Sequence, residues 1–413
     1  MPDPSPLFQH KIPREIRSAP SPPAGYSIRV TASSIDLSAG HPWSRRRFHA
    51  AYGVLEQAIQ EGAFPGAAFG VLSGRQVLAL DGVGRFTYEA WSDPVTPSTI
   101  YDLASVTKVI ATTAMGMLLH QRGQLQLDRP LAEILPRFAH GAGERGRVTL
   151  RTLLAHSSGL PGYVRLYETC PDAGSLLDAC LRLPLEADPG ERAEYSDPGF
   201  ILLGEALEKI AGESLEEFCA REIFTPLQMT CTGFRPSSDR WPAIPPTEID
   251  EHFRRRIIQG EAQDENCFVL GGAAGHAGLF SNAMDSLRFA GSILAAAPQR
   301  ADSRTGAASG DAMLPPLFTP ETVHLFTTRA ELPSGSSRAL GWDTPSPPSS
   351  SGRYFRPHSA GHLGYSGTSL WIDLERRIAV VLLTNRTWPR RGNDAIRRVR
   401  PVFHDAVLEA LLQ

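Results

Sequence analysis

The chain has 413 residues, a formal net charge of -3 and 42% hydrophobic residues, enough for a sizeable core in one large domain or two average ones. That charge, with only the short basic runs Arg45–Arg47 and Arg254–Arg256, argues against nucleic acid or an anionic membrane surface as a main partner. No segment reaches the ~18 apolar residues of a membrane span, and residues 1–20 lack the apolar run of a signal peptide, so the expected location is cytoplasmic.

In chain order, residues 1–44 are rich in Pro and Ser and are expected to form a loosely ordered extension with one short strand-like stretch, Tyr26–Val30. A helix follows over Arg46–Gly62, where Phe48, Ala51, Val54, Leu55, Ala58 and Ile59 recur at helical spacing. The period then changes. Ala67–Leu72 and Gln76–Ala79 read as a hairpin that Gly82–Tyr88 extends. The apolar stretch Leu103–Leu119 reads as a buried central helix. Further helical segments are expected over Thr149–His156, Gly174–Leu183, Gly199–Gly212 and Ser214–Phe224, with loops at 300–316 and 343–353. Strand period returns at Ser369–Leu374 and Ile378–Asn385, and a last helix spans Asp394–Leu412, interrupted or begun by Pro401. Strands at both ends and helices between them predict an α/β chain of the α+β type: one antiparallel sheet built from about 45–120 and 330–413, with a helical region over about 121–329.

The central stretch carries chemistry. Ser105 and Lys108 stand three residues apart, so on a helix they share one face. A serine hydroxyl needs a neighbouring base to act as a nucleophile, and a lysine becomes a base when burial or nearby positive charge lowers its pKa. Only Lys11, Lys108 and Lys209 are lysines among 41 Lys+Arg. Arginine cannot be deprotonated, so a lysine kept three residues after a serine is consistent with a position where the amine loses a proton. The five cysteines, Cys170, Cys180, Cys219, Cys231 and Cys267, show no metal-ligand spacing and read as free thiols of a reducing compartment. No metal and no cofactor are expected. Gly271–Gly278 lacks the lysine and Ser/Thr of a phosphate-binding loop. His156 is expected to tie down the loop after its helix, and His276 to sit in a glycine-rich turn.

Ser105-Val106-Thr107-Lys108, Tyr195-Ser196-Asp197 and His362-Leu363-Gly364 resemble, in order and spacing, the three signatures of class C β-lactamase-like serine hydrolases, a family that includes penicillin-binding proteins, D-amino-acid peptidases and esterases. Leu153–Pro161, Gly271–Phe280 and Gly364–Asp373 look like family consensus as well. The resemblance runs from about residue 45 to the C-terminus and implies the serine β-lactamase/DD-peptidase fold. It implies Ser105 as the acylated nucleophile, Lys108 as its partner and Tyr195 as a second proton carrier. It places the oxyanion hole at the backbone N–H groups of Ser105 and Tyr365, and Gly364 where substrate backbone comes close.

Two positions depart from the lactamase pattern. Asp197 stands where many members carry asparagine, and His362 where lactamases usually carry lysine. The first removes a side-chain N–H₂ donor; the second replaces a fixed charge with one that titrates near neutrality. With Gly364, both are expected to contact substrate. The expected substrate is a small ester, amide or lactam, with esters first. A DD-carboxypeptidase acting on cell-wall peptides and a non-catalytic peptidoglycan-binding module are the alternatives. Trp342 and Trp371 are expected to pack, Trp342 with the option of a pocket wall.

Overall fold

The computed structural model describes residues 42–139, 144–297 and 316–413. The strand expected at Tyr26–Val30, nearly all of the 1–44 extension and the loop at 300–315 lie outside the described residues. Ten strands are found among the described residues: β1 (Gly66–Ser73), β2 (Gln76–Gly84), β3 (Tyr101–Asp102), β4 (Gly233–Phe234), β5 (Glu248–Asp250), β6 (Arg256–Ile258), β7 (Leu279–Ser281), β8 (Ala360–Leu363), β9 (Ser369–Asp373) and β10 (Ile378–Thr384). The main sheet has the order β2-β1-β10-β9-β8 and is antiparallel throughout. It is the sheet expected from the two distant strand-rich stretches.

Every residue of β10 is buried, and the sheet's two covers explain why. Val380 and Leu382 pack with Phe69, Leu55 and Phe403 against the helices His49–Gln60 and Ile396–Leu412. Val381 and Leu383 point the other way, into the larger core that contains the Ala283–Ala296 helix. A strand covered on both faces has no need of polar alternation, hence its continuous apolar run. The Ala283–Ala296 helix escaped the sequence reading for a related reason. Nearly all its residues are buried, so it shows no polar face; its start is set by Asn282, whose side chain accepts from the Asp285 N–H.

Leu103–Leu119 is not one α-helix. It opens with a 3₁₀ turn at Ala104–Val106, continues as a π-helix over Lys108–Thr113 and becomes α-helical at Ala114–Gln121. Wide turns of this kind recur where a helix carries functional side chains. Ser214–Phe224 likewise changes to a π-helix after Cys219. The small β3-β7-β4 sheet joins the first sheet-forming stretch to the region that follows it, which also holds the β5-β6 hairpin; these strands are too short to show a two-residue period. Trp342 and Trp371 are packing residues, stacked on Phe289 and set against Phe355 respectively. Among the described residues no helix is long and apolar enough to cross a membrane, and all five cysteines are free.

Candidate active site

The turn that presents Ser105 is built before the helix begins. Ala104 takes a left-handed φ of 47°, a conformation that costs energy for a residue with a Cβ and needs surrounding restraint. Asp102 supplies that restraint. One carboxylate oxygen accepts from Ala104 N at 2.8 Å and the other from Gln263 N at 2.8 Å. Burial pushes this carboxyl up to about 6 despite those donors. From the other side, the loop joining β8 and β9 grips the same turn: Ser366 Oγ donates to Asp102 O at 2.8 Å, and Thr368 Oγ1 to Leu103 O at 2.9 Å.

Lys108 is fully buried and uses all three N–H donors. They go to Ser105 Oγ at 3.1 Å, Asp197 Oδ1 at 2.6 Å and the His276 carbonyl at 2.9 Å. Its ammonium also lies 4.8 Å from the centre of the Tyr195 ring. Burial pulls its pKa down, but Asp197 and Tyr195 oppose this and prevail, so the amine is held above its ordinary value. This corrects the expectation of a lysine depressed by its surroundings: at rest Lys108 is an ammonium. Lysine suits the place because three tetrahedral donors meet three acceptors in a dry pocket, where a planar guanidinium would not.

Tyr195 and Asp197 are delivered by one N-cap. Ser196, rather than Asp197, caps the Asp197–Ala211 helix, accepting from Gly199 N at 3.0 Å while donating to Pro161 O at 2.7 Å. His156 does tie down its loop: Nδ1 accepts from Ser196 N and its carbonyl from Glu194 N. The centre of the Tyr195 ring also lies 5.5 Å from the Arg338 guanidinium. Its hydroxyl forms no hydrogen bond of ordinary geometry, although Lys108 and Ser105 both act on it. Burial raises the phenol above its usual value, Lys108 opposing and Asp197 reinforcing. Positive charge therefore does not produce a phenolate here.

His276 does more than fill a turn. Its carbonyl holds Lys108, and its ring Nε2 meets Asp264 Oδ1 at 2.8 Å. His362, on β8, has Nδ1 2.8 Å from Leu363 O and an unpartnered Nε2. Burial, then the charges of Lys108 and Arg338, hold it well below the ordinary histidine value. The expectation of titration near neutrality is corrected: His362 is a neutral ring at physiological pH.

Ser105, Tyr195, Asp197, His362, Gly364 and Tyr365 all line one cavity of about 750 Å³. The sequence reading missed its arginines, of which Arg338, Arg397 and Arg400 come from elements distant in sequence. Arg400 donates to the carbonyls of Gly364 and Thr368, at 2.6 and 2.8 Å. Burial and its neighbours Arg386 and Arg397 bring its pKa down to about 9. Among the described residues no group of three or more His, Cys, Asp or Glu side chains is gathered as a metal site.

Gly364 sits where this loop meets the Ser105 turn. A Cβ there would lie 2.0 Å from Thr368 Oγ1 and 2.4 Å from Leu103 O. Gly364→Ala is therefore expected to cost ~1–3 kcal/mol of stability, as overpacking against backbone does. Urea unfolding measures it, and a loss under ~0.5 kcal/mol would mean that the loop moves aside freely.

The family model described as Beta-lactamase matches residues 53–402. The chain belongs to the β-lactamase family. A putative D-alanyl-D-alanine carboxypeptidase of Escherichia coli K12 is 33% identical over 322 residues, 70% of each chain. Among solved structures, EstCE1, a hydrolase with promiscuous acyltransferase activity, superposes with a TM-score of 0.68 at 22% identity, covering 89% of this chain and all of that one. A class C β-lactamase of Rhodobacter sphaeroides gives 0.64 at 22% identity, covering 88% and 99%. These structures share the fold. As a member of the β-lactamase family the protein is a serine hydrolase.

Proposed function

We propose that this hydrolase acylates Ser105 and releases the acyl group to water. The observation that carries the reading is Ser105 Oγ on the cavity wall, 3.1 Å from the Lys108 ammonium. An ammonium donating to a hydroxyl favours the alkoxide that forms as attack begins. The N–H groups of Ser105 and Tyr365 are assigned to the developing oxyanion. The Tyr195 hydroxyl, protonated at rest, hands a proton to the leaving group.

Esters are the first substrate class. An activated ester asks for little beyond the nucleophile and an oxyanion hole, whereas the carboxylate of a penicillin meets a neutral ring at His362. Each unpaired polar contact in a desolvated site costs ~1–3 kcal/mol, or about one to two decades. Short p-nitrophenyl esters are thus expected to exceed penicillins in kcat/KM by at least ~10-fold. A penicillin turned over faster than every ester would reverse the order.

A second reading, a carboxypeptidase of peptides ending in a D-amino acid, is favoured by Arg338. This cation lines the cavity beside Tyr195, with its carboxylate partner Asp343 no nearer than 3.7 Å. The name of the E. coli relative points the same way. On this reading Arg338→Gln raises KM for a D-alanyl-D-alanine peptide ~10–100-fold relative to a neutral ester, the worth of a charged hydrogen bond. Equal changes for both substrates would remove Arg338 as a carboxylate anchor.

A further inference from the structure

We propose that Asp197 is the terminal acceptor of the serine proton, reached through Lys108. The inference rests on Ser105 being the nucleophile and adds what the resting geometry leaves open. The Asp197 charge holds the amine protonated, and its N–H groups are taken up by Ser105, Asp197 and the His276 carbonyl, so the lysine has no lone pair with which to accept the serine proton. It must first release one. Of its three partners, Ser105 is itself the proton donor and the His276 carbonyl cannot keep a proton. Asp197 can, and at 2.6 Å it is the shortest of the three contacts.

The other titratable groups around the pair do not offer an equal acceptor. His362 and His156 are held neutral by burial and by the charges of Lys108 and Arg338. His276 presents Lys108 with its carbonyl, and its ring is engaged with Asp264, a carboxylate that itself feels Lys108. The Tyr195 phenol keeps its proton, and the phenol of Tyr163, which also lines the cavity, is raised above its ordinary value.

The step balances without a further reactant. As Oγ bonds to the acyl carbon, the Oγ–H bond breaks and its proton passes to Nζ, while an Nζ proton moves to Asp197 Oδ1. The carbonyl electron pair moves onto oxygen. On collapse that pair returns, the bond to the leaving group breaks, and the stored proton goes back through Nζ and the Tyr195 hydroxyl to the leaving group. A substrate that expels water from the cavity favours the first of these moves, from Nζ to Oδ1, because the neutral acid–amine pair it forms tolerates desolvation better than an ion pair, and the amine so released takes the serine proton. Asparagine at 197 could position the lysine but could not store a proton.

The test uses the full chain, its Asp197→Asn variant and the conservative Asp197→Glu, with p-nitrophenyl acetate from about pH 4 to about pH 10. Asp197→Asn removes the counter-charge that keeps Lys108 protonated. The acid limb of kcat/KM then follows the lysine's own loss of a proton and moves up by at least ~2 pH units. That is a ~100-fold loss on the acid side, recovered as pH rises. Asp197→Glu, which keeps a carboxylate, restores the parental limb. A purely structural role would lower the rate equally at every pH. A fluorophosphonate label separates the two layers. Labelled Ser105 with an unmoved limb overturns the relay alone, and a parent enzyme that takes no label at Ser105 overturns the nucleophile and the relay together.

Discussion

Ser105→Ala is expected to abolish turnover, by roughly 10⁴–10⁶-fold in kcat, the scale on which removing a nucleophile acts. Covalent labelling by a fluorophosphonate should vanish with it. The fold should survive, because the change deletes one oxygen from a half-buried position whose turn is held by Asp102, Ser366 and Thr368 rather than by the serine side chain. Loss of one hydrogen bond to Lys108 leaves the ammonium with Asp197 and the His276 carbonyl. Activity assay, intact-protein mass spectrometry and a thermal melt on the same sample check all three statements. Labelling that persists in the alanine variant would move the nucleophile elsewhere.

Lys108→Arg has the next largest expected effect, although it conserves charge. General acid–base assistance is typically worth ~10²–10⁴-fold, and a guanidinium cannot release a proton in a protein. Size adds a second penalty. The side chain is fully buried against Tyr195 and Phe200, and overpacking of that kind costs ~1–3 kcal/mol. Steady-state kinetics with an activated ester, together with urea unfolding, separates the chemical loss from the steric one. An arginine variant that kept most of the parental rate would leave lysine only a fixed-charge role and would contradict proton transfer through Nζ.

Much of the site could be read from the sequence because its motifs are local. Ser105 and Lys108 are three residues apart and meet as expected, even though the backbone between them is a 3₁₀ turn running into a π-helix rather than one α-helix. The apolar runs that form β1 and β10 were evident for the same reason. What escaped notice depends on groups far apart in sequence. Asp197 reads from the sequence as a substrate contact, and only its approach to Lys108, 89 residues away, reveals an ion pair. The charge state of Lys108 follows from that approach and reverses the simple argument from burial. Arg338 and the His276–Asp264 pair acquire their meaning from the cavity they share. The Ala283–Ala296 helix was hidden because burial nearly all round leaves no polar stripe to mark it.

The ties from Ser366 and Thr368 to the Ser105 turn span 264 and 265 residues. During synthesis at ~5–20 residues per second, that turn waits roughly 13–50 seconds before the loop that braces it leaves the ribosome. Throughout the interval β1 lacks its β10 neighbour and presents an apolar, unpaired strand edge to other chains. Such high contact order makes folding slow. The catalytic turn should thus be among the last parts of the molecule to set. In a cell, the yield of active enzyme is expected to depend on chaperone supply and growth temperature more than the size of the finished core would suggest.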